Sequence, residues 1–429
     1  MQSTTNEWST QALKSKLEIH KTSGVVGIDV AKNKHFATIL DPLGQTIVPP
    51  FSFSNSKEGF DALADKINQM GTLQGIRNWL VGFEASGGYE KPLAAFLKEN
   101  QFDVVQVDSF AVKRQREMIN RSFDKNDAKD CLSIAYLIRQ GYVSFYHCRS
   151  LEEEKLSGLV LINEHLKKRR SQLKIKIKQN SLKYLFPELE GFCKNIESPF
   201  VLDLLSLYPT PQDIVSATKL EFKKTMLPRL KGRKVSFYLD ELFSLAENSI
   251  GLKIDRWDVK ALELRTYVEE LRVIEGQRDI IAKRIGHLLE VNPQYQLIST
   301  IPGIAQEIGA ALLAEIGDIN RFGNERQLLS FAGLDLVNHQ SGNYTGTPRL
   351  SKRGRPLIRK VTFQAVNVSI LCTKSNPIAV KYRQIVATQG DTKDVRQKAK
   401  IKLCAKLLRM VYAVLKNQEP YRDSLADQA

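Results

Sequence analysis

Short apolar blocks separated by turn signals fill the first third of the chain, and longer stretches with helical spacing fill most of the rest. Residues 25–30 and 34–40 read as strands, the second closed by the turn Asp41-Pro42-Leu43-Gly44. Residues 46–53 read as a third strand. Pro49-Pro50 within it suits a sheet edge, where a missing N–H costs no ladder bond. Phe60, Leu63, Ala64 and Ile67 recur at helical spacing over 57–70. A strand over 78–84, a helix over 89–99, a strand over 102–107 and helices over 110–118 and 127–140 follow. Three strands, then helix–strand–helix–strand–helix, predict an α/β domain with the layout of a ribonuclease H-like fold.

That order puts four acids where strands end or helices begin. Asp29 closes the first strand, and Glu84 closes the fourth, ahead of the turn Ser86-Gly87-Gly88. Asp127 and Asp130 lie three apart at a helix start and so share one face. Each has an ordinary explanation when taken singly. Asp29 fits a strand-end turn, and Asp127 fits a helix N-cap with Asp130 favourable in the first turn. Taken jointly, on neighbouring central strands and a covering helix, they predict a carboxylate cluster. Such clusters hold a hard cation such as Mg²⁺ at a phosphodiester.

A chain of 429 residues predicts two or three domains with ample core. The first 20 residues are polar and mixed in charge, so no signal peptide is expected, and no apolar run is long enough to span a bilayer. Cys131, Cys148, Cys193, Cys372 and Cys404 are scattered without a C-x-x-C pair, which argues for a reducing cytoplasm and against a zinc site. The net charge of +16 is unevenly spread. Residues 24–150 carry 15 Lys/Arg against 14 Asp/Glu, so nearly all the excess lies after residue 150. A near-neutral acid-bearing domain followed by a basic remainder points to a polyanion gripped mainly outside the acid cluster. The alternative is a solvated basic surface that aids solubility.

After residue 150 the pattern lengthens. Residues 152–185 carry Leu156, Leu159, Leu166, Leu173 and Ile177 at helical spacing, with Lys167, Lys168, Arg169 and Arg170 along the later half. Residues 256–291 form a second long pattern through Leu264, Val268, Leu271, Ile274, Ile285 and Leu288. The two predict an antiparallel coiled coil or dimer arm, or else the core of an ordinary bundle. The proline-punctuated 186–255 between them reads as a small helical insertion without assigned chemistry. A further unit begins near Pro293. There Ile301-Pro302-Gly303-Ile304 resembles a helix-hairpin-helix, which contacts phosphate through backbone N–H groups, and an ordinary helix start fits nearly as well. Beyond Phe331-Ala332-Gly333-Leu334 come His339-Gln340-Ser341-Gly342 and the basic run Arg349, Lys352, Arg353, Arg355, Arg359 and Lys360, expected to bind nucleic acid. Ser341 before a glycine is most simply a turn residue. Ahead of a phosphate-binding run it is also a candidate nucleophile, with His339 a candidate proton acceptor.

Gly27-Ile28-Asp29-Val30-Ala31-Lys32, Phe83-Glu84-Ala85-Ser86-Gly87-Gly88-Tyr89 and Lys125-Asn126-Asp127-Ala128-Lys129-Asp130 resemble three signature blocks of the IS110-type insertion-sequence transposases. These are the DEDD/serine family that includes the Piv-like DNA invertases. Ile301-Pro302-Gly303-Ile304, Phe331-Ala332-Gly333-Leu334, Gln340-Ser341-Gly342 and Ser351-Lys352-Arg353-Gly354 resemble the family's second domain in the same order. Three positions depart from it. Asn126 stands where Thr is frequent, Ser86 replaces the more usual Thr, and Gln340 replaces a second Ser, which leaves Ser341 as the matching serine.

The resemblance implies a RuvC-like domain over 24–150 with Asp29, Glu84, Asp127 and Asp130 as Mg²⁺ ligands. The long helical patterns give a coiled-coil or helical region over 151–292, and the resemblance does not extend to the insertion at 186–255 within it. A mainly helical C-terminal transposase domain over 293–390 then carries the nucleophile Ser341. A flexible tail over 1–23 and a basic helix and tail over 391–429 complete this division. The implied activity is Mg²⁺-dependent strand cleavage and exchange through a serine–phosphate intermediate in a composite site, in which one subunit's acids meet another's serine domain. The implied partners are donor and target DNA, a structured noncoding guide RNA and further copies of the chain as a homodimer or tetramer. Two other readings stay open: a RuvC-like junction nuclease that needs the acids but not the serine, and a nucleic-acid-binding protein that cleaves nothing.

Overall fold

The computed structural model describes residues 22–84, 87–120, 127–193, 195–230, 235–337, 340–341, 344–345, 349–372 and 376–422. The chain divides into two units, Met1–Cys148 and Arg149–Ala429. Among the described residues no helix is long and apolar enough to cross a membrane.

The first unit is built on β1 (Gly24–Asp29), β2 (Lys34–Leu40), β3 (Thr46–Ser54), α1 (Lys57–Gln74), β4 (Trp79–Glu84), α2 (Glu90–Glu99), β5 (Asp103–Val107), α3 (Ser109–Asn120), α4 (Asp127–Arg139) and β6 (Val143–Phe145). The strands form one sheet in the order β3-β2-β1-β4-β5-β6. β1, β2 and β3 pair antiparallel, β4 and β5 continue parallel to β1, and β6 closes the far edge antiparallel. β3 is the other edge, as its prolines require. The register slips between Ala37↔Phe51 and Ile39↔Val48, the stretch where Pro49 and Pro50 lie. α1 starts at Ser56, whose hydroxyl accepts from the Gly59 N–H, and ends at Gly75 in the left-handed region. It therefore runs a turn past the helix expected from periodicity.

Two cores lie on opposite faces of the sheet. Val26, Ile28, Val81 and Phe83 pack with Phe60, Leu63 and Ile67 of α1 and Leu93 and Leu97 of α2. Val25, Leu80 and Val105 pack with Ile134, Leu137 and Ile138 of α4 on the other face.

In the second unit the two long patterns become α5 (Leu151–Lys176), continued by a π-helical segment over Ile177–Leu182, and α6 (Val259–Glu290). They run antiparallel and cross two intramolecular cores. Near one end Leu173 and Ile177 pack with Leu264, Val268, Leu271 and Ile274, together with the short helices of the insertion. Toward the other end Leu156 and Val160 join Ile285 and Leu289 in the core of the C-terminal helices. The buried faces of the long helices are thus used within the chain, as in an ordinary bundle. The insertion's prolines have a plain role: Pro187, Pro199 and Pro211 each open a helix at its first position, where the missing N–H is not needed.

The C-terminal part contains α7 (Gln306–Ile316), α8 (Glu325–Ala332), β7 (Leu336–Val337), β8 (Gln340–Ser341), β9 (Tyr344–Thr345), β10 (Arg349–Leu350), α9 (Pro356–Leu371), α10 (Pro377–Gln389) and α11 (Lys393–Asn417). Gly303 has a packing reason: its φ is +89°, and a Cβ there would stand 2.3 Å from the Ala365 carbonyl oxygen on α9. The Ser369 hydroxyl on α9 also reaches the Pro302 carbonyl at 2.6 Å. The first turn of α7 carries Glu307, paired with Asn163 and Lys167. This Ile-Pro-Gly-Ile segment is a helix-packing joint, and Glu307 in the first turn of α7 ties that helix to α5.

Candidate active site

β1 and β4 run parallel with Gly27 opposite Gly82 and Ile28 opposite Phe83, so Asp29 and Glu84 end the two strands side by side. Side chains alternate along a strand. Val25 and Leu80 lie in the core beneath α4, so Gly27 and Asp29, like Gly82 and Glu84, belong to that same face. Both acids emerge at one end of the sheet on the side covered by α4.

α4 reaches that face because the paired glycines leave room. A Cβ on Gly27 would stand 2.4 Å from the Cys131 carbonyl oxygen and 2.5 Å from the Ala135 nitrogen. One on Gly82 would stand 2.6 Å from Ile138 Cδ1. Helix and strands therefore approach more closely than any residue with a side chain would permit. The contact at Cys131 brings the preceding residue, buried Asp130, toward the ends of β1 and β4. Burial, and next the Asp29 carboxylate, push the Cys131 thiol up to about 12, so Asp29 acts electrostatically on the start of α4. Asp127, the first residue of α4, is exposed.

Four carboxylates are the oxygen-donor set that suits a hard divalent cation. As the side chains stand, no three His, Cys, Asp or Glu among the described residues are grouped to hold an ion. The tight convergence expected from the sequence is therefore not formed in this arrangement. One reason is visible at Asp130: Arg116 Nη1, on α3, donates to Oδ1 at 2.7 Å and Oδ2 at 2.9 Å.

Two supporting residues escaped the sequence reading. His35 on β2 is fully buried, and its Nδ1 accepts from the Ala31 N–H at 3.1 Å, fixing the chain just after Asp29. Burial holds its pKa below the usual histidine value and so keeps it neutral. Glu90 is buried, and its carboxylate accepts from the Gly88 N–H at 3.0 Å, fixing the glycine turn after Glu84. A histidine within an apolar strand and a glutamate just after a Gly-Gly turn were the available signals.

Ser341 lies on β8, which pairs with β9 (Gln340↔Thr345, Ser341↔Tyr344). His339 and the residues between those two strands lie outside the described residues, as does Asn126. β7 pairs with β10 in a second short ribbon, Leu336 opposite Leu350 and Val337 opposite Arg349. The connection is rooted in a knot of backbone contacts. Arg355 N donates to the Phe331 carbonyl at 2.9 Å, Lys352 N to the Gly333 carbonyl at 3.2 Å, and the Ser351 hydroxyl to Asp335 at 2.5 Å. Gly333 ends α8 in the left-handed region, and Gly354 (φ +144°) presses on the Phe331 carbonyl. The blocks Phe331-Ala332-Gly333 and Ser351-Lys352-Arg353-Gly354 are thus two halves of one support beneath the Ser341 segment.

The predicted nucleic-acid cations divide into two groups. Lys167 pairs with Glu164 and Glu307, Arg170 with Glu197 and Glu275, Lys360 with Glu164, and Arg169 with Glu270 at 3.4 Å. Arg359 donates to the Ala332 and Gly354 carbonyls. These charges join helices to one another. Lys168, Arg349, Lys352 and Arg353 are exposed, and Arg355 lies 5.6 Å from the Phe331 ring centroid and 3.8 Å from Glu315. Arg321, not singled out from sequence, stacks on the same ring at 4.5 Å. Burial, then the neighbouring Arg355 and Arg149, push its pKa down to about 10. Two like charges against one aromatic ring, with Arg149 close enough to act on Arg321, are suited to an anion.

This division gives a prediction. Arg170→Ala should lower the stability of the second unit by about 1–2 kcal/mol, because Glu197 is left half-paired in a poorly solvated place, with little change in the salt dependence of DNA binding. Lys168→Ala should do the reverse, leaving the melting temperature alone and flattening the salt slope by about one. Thermal melts and binding isotherms at several salt concentrations check both. An unchanged melt for Arg170→Ala would refute its structural role.

Residues 26–187 match a family model described as a transposase of the DEDD, IS110 kind, and residues 295–383 match the one described as the transposase IS116/IS110/IS902 family. The chain belongs to the IS110 family of transposases. Relatives align over nearly the whole length. The 43.6 kDa protein of insertion element IS110 from Streptomyces coelicolor is 23% identical over 407 residues, covering 93% of this chain and 96% of that one. The transposase for insertion sequence element IS1111A of Coxiella burnetii is 21% identical over 401 residues, covering 93% and 91%. The pilin gene-inverting protein of Moraxella bovis is 30% identical over 139 residues, 31% of this chain and 40% of that protein. The transposase is accordingly an enzyme of DNA transposition and recombination, with its strand-end acids inside the first matched segment and Ser341 inside the second.

Proposed function

We propose that this transposase cuts and rejoins DNA through an ester between Ser341 and the scissile phosphate, in a composite site where the RuvC-like domain of another subunit holds Mg²⁺ on its Asp29, Glu84, Asp127 and Asp130. The observation that carries the reading is the in-register pairing of β1 and β4, which ends both strands in an acid beneath the α4 start. Mg²⁺ supplies Lewis-acid polarisation of the phosphate when bound. The Ser341 oxygen attacks phosphorus, its proton leaves to a base, and one deoxyribose oxygen departs as a hydroxyl. The ester keeps the bond energy of the broken linkage. A hydroxyl of the incoming strand then attacks it, releases serine and restores a phosphodiester without any external energy source.

Arg321 and Arg355 around Phe331, with Lys168, Arg349, Lys352 and Arg353, would steady the phosphate backbone, since such contacts position the polyanion without reading its bases. Selection of donor and target is assigned to base pairing with a structured noncoding RNA, and the working form to a homodimer or tetramer. Donor and target plasmids incubated with purified transposase, Mg²⁺ and RNA transcribed from the element's noncoding segment should yield recombinants. Omission of either Mg²⁺ or the RNA should abolish them. Recombination undiminished without RNA would overturn the guided reading, and recombination in chelator would overturn the metal site.

A further inference from the structure

One group in the first unit has no part in the reading above. Arg116 approaches from α3, which packs on α4, and a single guanidinium nitrogen bridges both carboxylate oxygens of Asp130. The pair is well shielded, with side-chain exposures of 17% for Arg116 and 7% for Asp130. A carboxylate with both oxygens engaged in this way has lost much of its capacity to ligate a cation. Asp29 ends β1 where Gly27 lets the start of α4 press on the strand, so its carboxylate and that of Asp130 approach one another and a positive charge beside them is favourable. Arg116 supplies that charge.

We propose that Arg116 is a counter-cation of the acid site: it holds both oxygens of Asp130 and competes directly with the divalent cation, which gains Asp130 only when the guanidinium withdraws. The inference rests on the metal-site reading of the four acids and adds a residue that is no ligand itself. Arg116 is thus a positioning residue that sets the threshold concentration for metal loading. Its side chain keeps a partly exposed edge through which it can withdraw.

The test uses the full-length transposase and Mn²⁺ alone, with free Mn²⁺ read by electron paramagnetic resonance. Arg116→Gln should bind Mn²⁺ about tenfold more tightly than the wild type, because a charge-assisted competitor has been removed. Arg116→Lys, which keeps the charge and can still present one nitrogen to both oxygens, should stay close to the wild type. In the wild type, with ¹⁵N-labelled arginine, saturating Mg²⁺ should shift the Arg116 guanidinium resonance to that of a solvated side chain. This readout holds even if a variant folds poorly. Equal Mn²⁺ affinity in all three proteins, or an Arg116 resonance indifferent to Mg²⁺, would overturn the counter-cation role and leave the metal site standing. No Mn²⁺ uptake by any of them would remove the metal site, and this inference with it.

Discussion

Ser341→Ala is expected to stop strand exchange, with a loss of about a thousandfold or more, while DNA and RNA binding stay near wild type. The substitution removes one oxygen from β8, a strand whose pairing with β9 is made by backbone groups, so the ribbon keeps its register. Wild-type protein stalled on a nicked or mismatched substrate should form a protein–DNA adduct that survives denaturation. The adduct should be missing from Ser341→Ala on a denaturing gel. It should also be missing from Asp127→Ala, since the phosphate must be polarised before serine can attack. Hydrolytic junction cleavage would behave differently, because water needs no serine. Cleavage by Ser341→Ala at the wild-type rate would overturn the serine mechanism in favour of a RuvC-like nuclease.

Replacing any one of Asp29, Glu84, Asp127 or Asp130 by Ala is expected to lower recombination in Mg²⁺ by about a hundredfold or more, because each removes charge and a donor that the cation needs. The four differ in what else they disturb. Asp127 is exposed at the first position of α4, so Asp127→Ala should melt close to wild type and isolates the chemistry. Asp130 is buried against Arg116, so Asp130→Ala strands a guanidinium and should cost about 3–5 kcal/mol of stability as well. Asp130→Asn keeps an oxygen for Arg116 and should recover part of that loss without recovering recombination. Near-normal recombination by any folded variant would remove that acid from the site.

The unbroken apolar runs of β1 and β4, each closed by an acid, carry most of what could be read of the site. They gave the two strands and the acids at their ends, because a strand covered by a core on each face needs nearly every residue apolar, and the order of elements gave their neighbouring places in the sheet. The prolines of β3 announced an edge for an equally local reason. What escaped was set by contacts distant in sequence. Gly27 and Gly82 read as ordinary strand residues until α4 is laid across them. Arg116 reads as one more cation, and only the approach of α3 to α4 reveals its bridge across the two oxygens of Asp130. Lys167 and Arg170 looked like a polyanion grip because their partners, Glu307, Glu197 and Glu275, come from other segments. The Ile-Pro-Gly-Ile block was likewise legible as a motif, whereas its use as a joint against α9 depended on Ala365 and Ser369.

The sharing of α5 between two cores bears on any effort to miniaturise this transposase. Its 26 residues span about 39 Å, with Leu156 and Val160 committed to one core and Leu173 to the other. The stretch 186–255 looks dispensable on a linear map. Excising it would strip the cover from Leu264, Val268 and Leu271 on α6, and fraying there would run along the same two helices into the support of the Ser341 segment. A compact version would therefore need those three leucine and valine positions recoded to polar residues in the same design round as the excision, so that the truncated strut ends in water instead of in exposed oil.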